Sequence, residues 1–228
     1  MPDSARHDVS KRKLAAALAM LCCAAVLAQP GPVSDTPAEL PDIPPIILPE
    51  RALKGIALLR ALRAGGFVLY MRHALTAPTD DECSSNGLSA EGEAQARLVG
   101  QAIRDLRIPV SAVLASPVCR GRDTARLLDL AAVEVTPALD RVGGGRGIAV
   151  HAQRRALLAQ PPAPGTNVLL VSHLHSGGPR ADWLHVAIAE VAVYQPDGQG
   201  ASHPVARITV DQWAGLLALP PDPDQPAR

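Results

Sequence analysis

This 228-residue sequence has few aromatic side chains and no formal net charge. Aromatic residues make up 2% of the chain, and 22 Lys plus Arg residues balance 22 Asp plus Glu residues. A base-stacking platform needs aromatic side chains, and charge-driven binding to DNA or to anionic membranes needs a basic excess. The composition therefore argues against a nucleic-acid partner and against a polybasic membrane patch. Because 47% of the residues are apolar but few are aromatic, the core must be built from Ala, Val, Leu and Ile.

The apolar segment near the amino end is short for a membrane span. LAAALAMLCCAAVLA at 14–28 has 15 residues, whereas a transmembrane helix needs about 20. It follows the basic SKRK at 10–13 and ends in small residues before Gln29, a pattern typical of a secretory signal peptide. We predict a signal peptide over 1–28 and a periplasmic or secreted location, with only transient membrane contact through that peptide. A retained anchor is the alternative.

Prolines divide the rest of the chain. Residues 29–49 contain seven prolines, more than a helix or a central strand tolerates. We predict a Pro-rich linker over 29–50, one domain over 51–219 and a disordered tail over 220–228.

Apolar runs within 51–219 alternate between helical and strand-like patterns, which predicts an α/β domain. A three-layer α/β/α fold with a mostly parallel central sheet is expected, because such sheets are covered by helices on both faces. The last two predicted strands are expected to form a closing hairpin. The predicted strands are FVLYM, SAVLAS, VEVTP, TNVLLVSH, AIAEVAVYQPDG and HPVARITV.

Three of the apolar strands end in polar residues. FVLYM is followed by Arg72 and His73, and two further strands lead to Arg120 and to His173. Ligand sites in such sheets form at the carboxyl ends of the strands, so two arginines and two histidines are expected to converge. This cluster is poor for stability but suits a phosphoryl group, because guanidinium forks match phosphate oxygens and a neutral histidine can attack phosphorus.

The ordered motifs resemble the histidine phosphatase superfamily, which has the phosphoglycerate-mutase-like fold, and within it the small exported phosphohistidine-phosphatase-like branch. The resemblance covers about 66–195 and rests on RHA at 72–74, LSAEGEAQA at 88–96, SPVCRGRDTA at 116–125 and LLVSH at 169–173.

The resemblance implies a role for each of these side chains. His73 is expected to be the nucleophile, Arg72 and Arg120 the phosphate clamp, and His173 a second histidine that stabilises the transferred group. No cofactor and no metal are expected. The proton donor is left open between two acids, Asp140 in PALDR and Glu190 in AIAEVAVY.

The predicted function is hydrolysis of a phosphate monoester or phosphoramidate, carried by a phosphorylated small molecule or a phosphorylated envelope component. A catalytically silent domain that binds phospho-ligands is the first alternative. A zinc hydrolase using His173 and His175 is the second, although His151 and His203 supply no patterned further ligands. Substrate specificity is expected in 75–88 and 140–150.

Cys83 and Cys119 are the cysteines that remain after signal cleavage, which would remove Cys22 and Cys23. Cysteines in an oxidising compartment tend to pair. The two lie in loops that follow strands ending at the same edge, so we predict a disulfide between them.

Overall fold

The computed structural model describes residue 48 and residues 52–77, 87–141, 147–173 and 186–220. All of these belong to one compact unit, Pro41–Arg228. The predicted signal peptide, nearly all of the linker and the tail beyond residue 220 lie outside the described residues. None of the described helices is long and apolar enough to cross a membrane.

The described chain alternates between strands and helices as the sequence predicts, with one short 3-10 turn in addition. The helices are α1 (Gly55–Ala64), α2 (Ala90–Asp105), α3 (Cys119–Leu128), α4 (Gly147–Ala159) and α5 (Gln212–Leu217), and the 3-10 turn is Pro137–Leu139. The strands are β1 (Val68–Arg72), β2 (Val110–Ala115), β3 (Val133–Val135), β4 (Asn167–Ser172), β5 (Val191–Pro196) and β6 (Ser202–Ile208).

The six strands form one sheet in the order β3-β2-β4-β1-β5-β6. Strands β3, β2, β4 and β1 pair in parallel, whereas β5 runs antiparallel to both β1 and β6. The predicted mostly parallel sheet and closing hairpin are therefore confirmed. Arg72 pairs with Ser172 in the register of β1 and β4, so these two strands end level with each other.

Helices cover both faces of the sheet, which confirms the predicted three layers. Successive β1 side chains point to opposite faces, as the pleat requires. Leu69 and Met71 enter the larger core with α1, α2, α3 and α5. Val68 and Tyr70 enter a smaller core with the 3-10 turn and α4.

Local signals in the sequence set the start of α2 and the end of α1. The Ser89 side chain accepts a hydrogen bond from Gly92 N at 3.0 Å, which caps α2. Gly65 follows α1 with φ 80°, a conformation that favours glycine. Its amide donates to Ala61 O at 3.1 Å and closes the helix.

A buried asparagine joins three elements at the edge of the sheet where β1 and β4 begin. Asn167 Oδ1 accepts from Phe67 N at 3.2 Å, and its Nδ2 donates to Leu62 O at 2.8 Å and to Pro109 O at 2.9 Å. These bonds hold the end of α1 and the starts of β1 and β2 together, at the edge opposite the strand ends that carry the histidines.

Candidate functional site

The carboxyl ends of β1, β2 and β4 lie side by side. His73 N donates to Ser172 O at 2.8 Å, and Ser116 N donates to Val171 O at 2.9 Å. Residues that follow these strands therefore share one edge of the sheet. The convergence expected from the sequence is confirmed for His73, Arg120 and His173.

The His73 ring is held by two hydrogen bonds that define its tautomer. Arg120 Nε donates to His73 Nε2 at 3.1 Å, and His73 Nδ1 lies 2.8 Å from Ala74 O. A guanidinium can only donate, so Nε2 must be the unprotonated nitrogen and Nδ1 carries the proton that binds the carbonyl. The Nε2 lone pair is the nucleophilic one, and it faces the arginine that is predicted to hold phosphate.

Thr124 joins the turn after β1 to helix α3. Its hydroxyl donates to Arg120 O at 2.6 Å, a bond to the backbone of its own helix. It also accepts from Ala74 N at 3.0 Å, a link between the two motifs that the sequence does not reveal. The backbone of Arg120 is thereby fixed to the turn that carries His73.

His173 lies beside His73 in the same pocket. The two ring centroids are 5.3 Å apart, with the rings inclined by 64°. His173 Nε2 lies 2.8 Å from Ser116 Oγ, which also accepts from Val118 N at 3.2 Å. Ser116 is a site residue that we did not predict, although its place at a strand end in SPVCR was the available signal.

His173 is a neutral histidine in this environment. Burial, and after it the charges of His73, Arg120, Arg154 and Arg141, together lower its pKa from 6.5 to about 2. An imidazole with this pKa is unprotonated at neutral pH. It can therefore contact a transferred group as a neutral donor or acceptor, with no charge of its own.

Arg72 supplies the second cation of the predicted clamp. Its Nη1 donates to Val186 O at 3.3 Å, and its Nε is buried without a hydrogen-bond partner among the described residues. Burial lowers the pKa of Arg72, and the nearby charge of Arg120 lowers it further. The two guanidinium groups thus lie close enough to repel each other, an arrangement that an anion between them would relieve.

Residues 68–147 match the family model of the histidine phosphatase superfamily, branch 1. This segment of the chain is therefore similar to that superfamily. The matched segment contains Arg72, His73, Arg120 and Asp140, whereas His173 and Glu190 follow it.

Solved structures that resemble the chain include several phosphatases. The protein histidine phosphatase SixA in complex with tungstate shares 20% identity at a TM-score of 0.49, covering 64% of this chain and 98% of that one. A SixA protein from Nakamurella multipartitia shares 21% identity at a TM-score of 0.46, with coverages of 63% and 95%. The mycobacterial glucosyl-3-phosphoglycerate phosphatase shares 18% identity at a TM-score of 0.44, with coverages of 61% and 97%. No curated protein matches the chain.

Asp140 lies at the same edge of the sheet as His73 and His173. Ser172 Oγ donates to Leu139 O at 2.7 Å, which holds the 3-10 turn against the end of β4. Asp140 follows directly, is half-buried, and accepts from Arg141 N at 2.6 Å through its carboxylate. The carboxylate keeps a second oxygen, so Asp140 remains the candidate proton donor.

Glu190, the other candidate acid, forms a buried ion pair in the structure. Its Oε1 and Oε2 accept from Arg207 at 2.6 and 2.5 Å, and Oε2 also accepts from Ala187 N at 2.6 Å. Both oxygens are therefore occupied by a forked, buried ion pair within the β5–β6 hairpin. The structure thus pairs the Glu190 carboxylate with Arg207, and its assignment as the proton donor stays a prediction.

The predicted disulfide cannot be followed in the structure, because Cys83 lies outside the described residues. Cys119 is buried at the start of α3, directly before Arg120, and Arg122 Nη2 lies 3.3 Å from its sulfur.

The zinc alternative requires a group of side chains that can hold a metal ion. Within the described ranges no three His, Cys, Asp or Glu side chains are grouped to hold a metal ion. His175 lies outside those ranges, so the paired histidines of the zinc alternative are not both described.

Proposed function

We propose that this chain is a phosphatase that hydrolyses a phosphate monoester or a phosphoramidate through a phosphohistidine on His73. The observation that carries the proposal is the His73 tautomer. Its unprotonated Nε2 faces Arg120 at 3.1 Å, beside a second, neutral histidine. A lone pair held next to fixed cations is the arrangement that attack on phosphorus requires.

In the first step, the Nε2 lone pair forms a bond to phosphorus as the bond from phosphorus to the leaving oxygen or nitrogen breaks. Arg72 and Arg120 stabilise the charge on the non-bridging oxygens, and Arg120 exchanges its bond to Nε2 for one to phosphate. The Asp140 carboxyl supplies a proton to the leaving group. His173 contacts the transferred group from the other side of the pocket.

In the second step, a water molecule replaces the leaving group. Asp140, now a carboxylate, takes a proton from this water as its oxygen attacks phosphorus. The bond between phosphorus and Nε2 breaks, inorganic phosphate leaves, and the lone pair returns to His73. In this mechanism, residues of the chain itself carry out both steps, and no cofactor takes part.

The expected substrate is a phosphorylated small molecule or a phosphorylated component of the cell envelope. We infer the location from the signal-peptide pattern at 1–28, which supports a periplasmic or secreted enzyme. A substrate panel of sugar phosphates, phosphoamino acids and phosphohistidine would identify the leaving group that the pocket accepts.

Turnover of para-nitrophenyl phosphate by the wild type and by His73→Ala tests the proposal. The wild type should hydrolyse the ester and be inhibited by orthovanadate, and the variant should lose at least about a thousandfold in kcat. Acid-labile, base-stable phosphate trapped on the wild type should be missing from the variant. Equal activity in the two proteins would contradict the mechanism.

Two other outcomes would favour the alternatives. Binding of vanadate without any turnover would indicate a silent phospho-ligand-binding domain that keeps the clamp. Activity that is lost with a chelator and insensitive to vanadate would indicate a zinc hydrolase.

A further inference from the structure

Arg154 is an arginine of α4 that lies entirely inside the protein. It is 1% exposed, and its Nε and Nη1 are buried without a hydrogen-bond partner among the described residues. No carboxylate in the described part of the chain forms an ion pair with it. A buried cation without a counter-ion is unfavourable for folding, so its presence calls for a functional explanation.

The contacts of Arg154 connect the two sides of the phosphatase pocket. Its Nη2 donates to Asp140 O at 2.7 Å. Its guanidinium carbon lies 5.9 Å from the centre of the Tyr70 ring, and Tyr70 Oη donates to His173 O at 3.0 Å. One side chain thus contacts the candidate proton donor's backbone and the tyrosine that holds the second histidine.

We propose that Arg154 is a positioning residue that fixes Asp140 relative to His173 and places a permanent positive charge behind the pocket. The inference rests on the proposed function. Arg154 does not contact the substrate, because its guanidinium is enclosed by the smaller core. It acts through Asp140 and through Tyr70.

The electrostatics of His173 agree with this role. After burial, the charges that lower its pKa belong to His73, Arg120, Arg154 and Arg141. Of these residues, Arg154 is the one whose side chain is fully buried, so its charge is screened least by water. Its neighbour Arg155 is exposed and does not contribute to the shift on His173.

This arrangement predicts opposite effects on stability and on activity. Replacing a buried, incompletely bonded cation by an apolar side chain of similar length is often neutral or stabilising. Replacing a residue with a purely structural role should lower the stability of the protein. Replacing a positioning residue can raise the stability while it lowers turnover.

The experiment compares Arg154→Met, Arg154→Lys and the control Arg155→Met with the full-length wild type on para-nitrophenyl phosphate. Arg154→Met should keep or raise the thermal midpoint and lose at least about tenfold in kcat, with KM changed by less than about threefold. Arg154→Lys, which keeps the charge and a donor for Asp140 O, should recover part of the kcat. Arg155→Met removes the same charge from the same helix and should match the wild type.

The inference is overturned if Arg154→Met retains wild-type kcat or if Arg155→Met loses as much. Failure of Arg154→Met to fold, with a similar loss of stability in Arg154→Gln, would also overturn it by making Arg154 a structural residue. An inactive wild type would contradict the proposed function itself, so the two failures are distinguishable.

Discussion

Arg120 is the side chain whose geometry matters most at the scale of single residues. Its Nε donates to the unprotonated nitrogen of His73, and its backbone is fixed through Thr124 to the turn after β1. Only a planar guanidinium can bind an imidazole nitrogen before the reaction and offer a fork to phosphate during it. A lysine could supply the charge but not the fork.

Arg120→Lys should therefore lower kcat/KM by about tenfold or more, because an ammonium group cannot make the forked contact. Steady-state kinetics with para-nitrophenyl phosphate would measure this. Arg122→Lys is the matched control, since Arg122 lies two residues away on α3 and its Nη2 contacts the Cys119 sulfur. An unchanged kcat/KM in Arg120→Lys would mean that this residue does not bind phosphate.

The residues that could be predicted from the sequence were those in ordered motifs at strand ends. Arg72, His73, Arg120 and His173 follow apolar strands, and parallel pairing brings such ends together. Ser116 was missed because a serine at a strand end has many common uses. The ion pair of Glu190 could not be predicted, because its partner Arg207 is 17 residues away, across a hairpin whose register the sequence does not specify.

At the scale of elements, the contact between α3 and the end of β2 determines how the side chains of the pocket are spaced. Gly121 lies on the face of α3 that meets Ser116, and a Cβ on Gly121 would lie 2.8 Å from Ser116 Cβ. Because Ser116 binds His173, and Gly121 directly follows Arg120, this contact sets the distance between the clamp and the second histidine.

Gly121→Ala should push α3 away from β2, lowering the free energy of unfolding by about 1–3 kcal/mol and reducing kcat. Urea denaturation and kinetics would measure both. Gly215→Ala is the control, because a Cβ there meets nothing and alanine favours helix α5 by up to about 1 kcal/mol. Equal effects of the two substitutions would show that the α3 contact does not constrain the site.

A disulfide between Cys83 and Cys119 would tether the loop after β1 to the start of α3. The two cysteines are 36 positions apart, and a ring of this size contributes about 3–4 kcal/mol by chain entropy when its geometry is unstrained. Thiol titration of freshly purified, unreduced protein should find neither thiol free in the mature chain, and reduction should lower the thermal midpoint. Two titratable thiols under these conditions would contradict the pairing.

The elements themselves were predictable because their signals are local. Apolar periodicity, the Ser89 cap and the glycine after α1 each act within a few residues, so they can be read along the chain. The 3-10 turn at Pro137–Leu139 was not predicted, since it is held by the Ser172 hydroxyl, a contact that exists only once β4 is in place.

At the scale of the whole molecule, buried histidines make the fold sensitive to acid. The pKa of His173 falls from 6.5 to about 2 in the folded protein, and burial lowers the pKa of His151 as well. Between these values the unfolded chain binds protons that the folded chain does not, so stability must rise with pH over that range and level off above it.

Urea denaturation should therefore show a constant free energy of unfolding above about pH 7 and a decline below it, by up to about 1.4 kcal/mol per pH unit for His173. His173→Gln keeps a polar group near Ser116 and removes this titration, so its decline should be shallower. An equal slope in both proteins between about pH 6.5 and 5, above the range where carboxylates titrate, would contradict the assignment.

The order of the strands was the global feature that the sequence could not supply. Alternating strands and helices predict a parallel sheet, but the placement of β4 between β1 and β2 depends on pairing between distant segments. The site nevertheless could be located without that order, because any parallel arrangement brings the same strand ends to one edge.

The hydrogen bond between His73 Nδ1 and Ala74 O determines which ring nitrogen can be phosphorylated. A nitrogen that gives its proton to the backbone has no lone pair to offer, so the covalent intermediate of the proposed reaction can form at Nε2 alone. The protein would thus make a single regioisomer of phosphohistidine, although free imidazole can be phosphorylated at either nitrogen. The carbonyl of Ala74, directly after the proposed nucleophile, therefore selects the isomer already in the free enzyme.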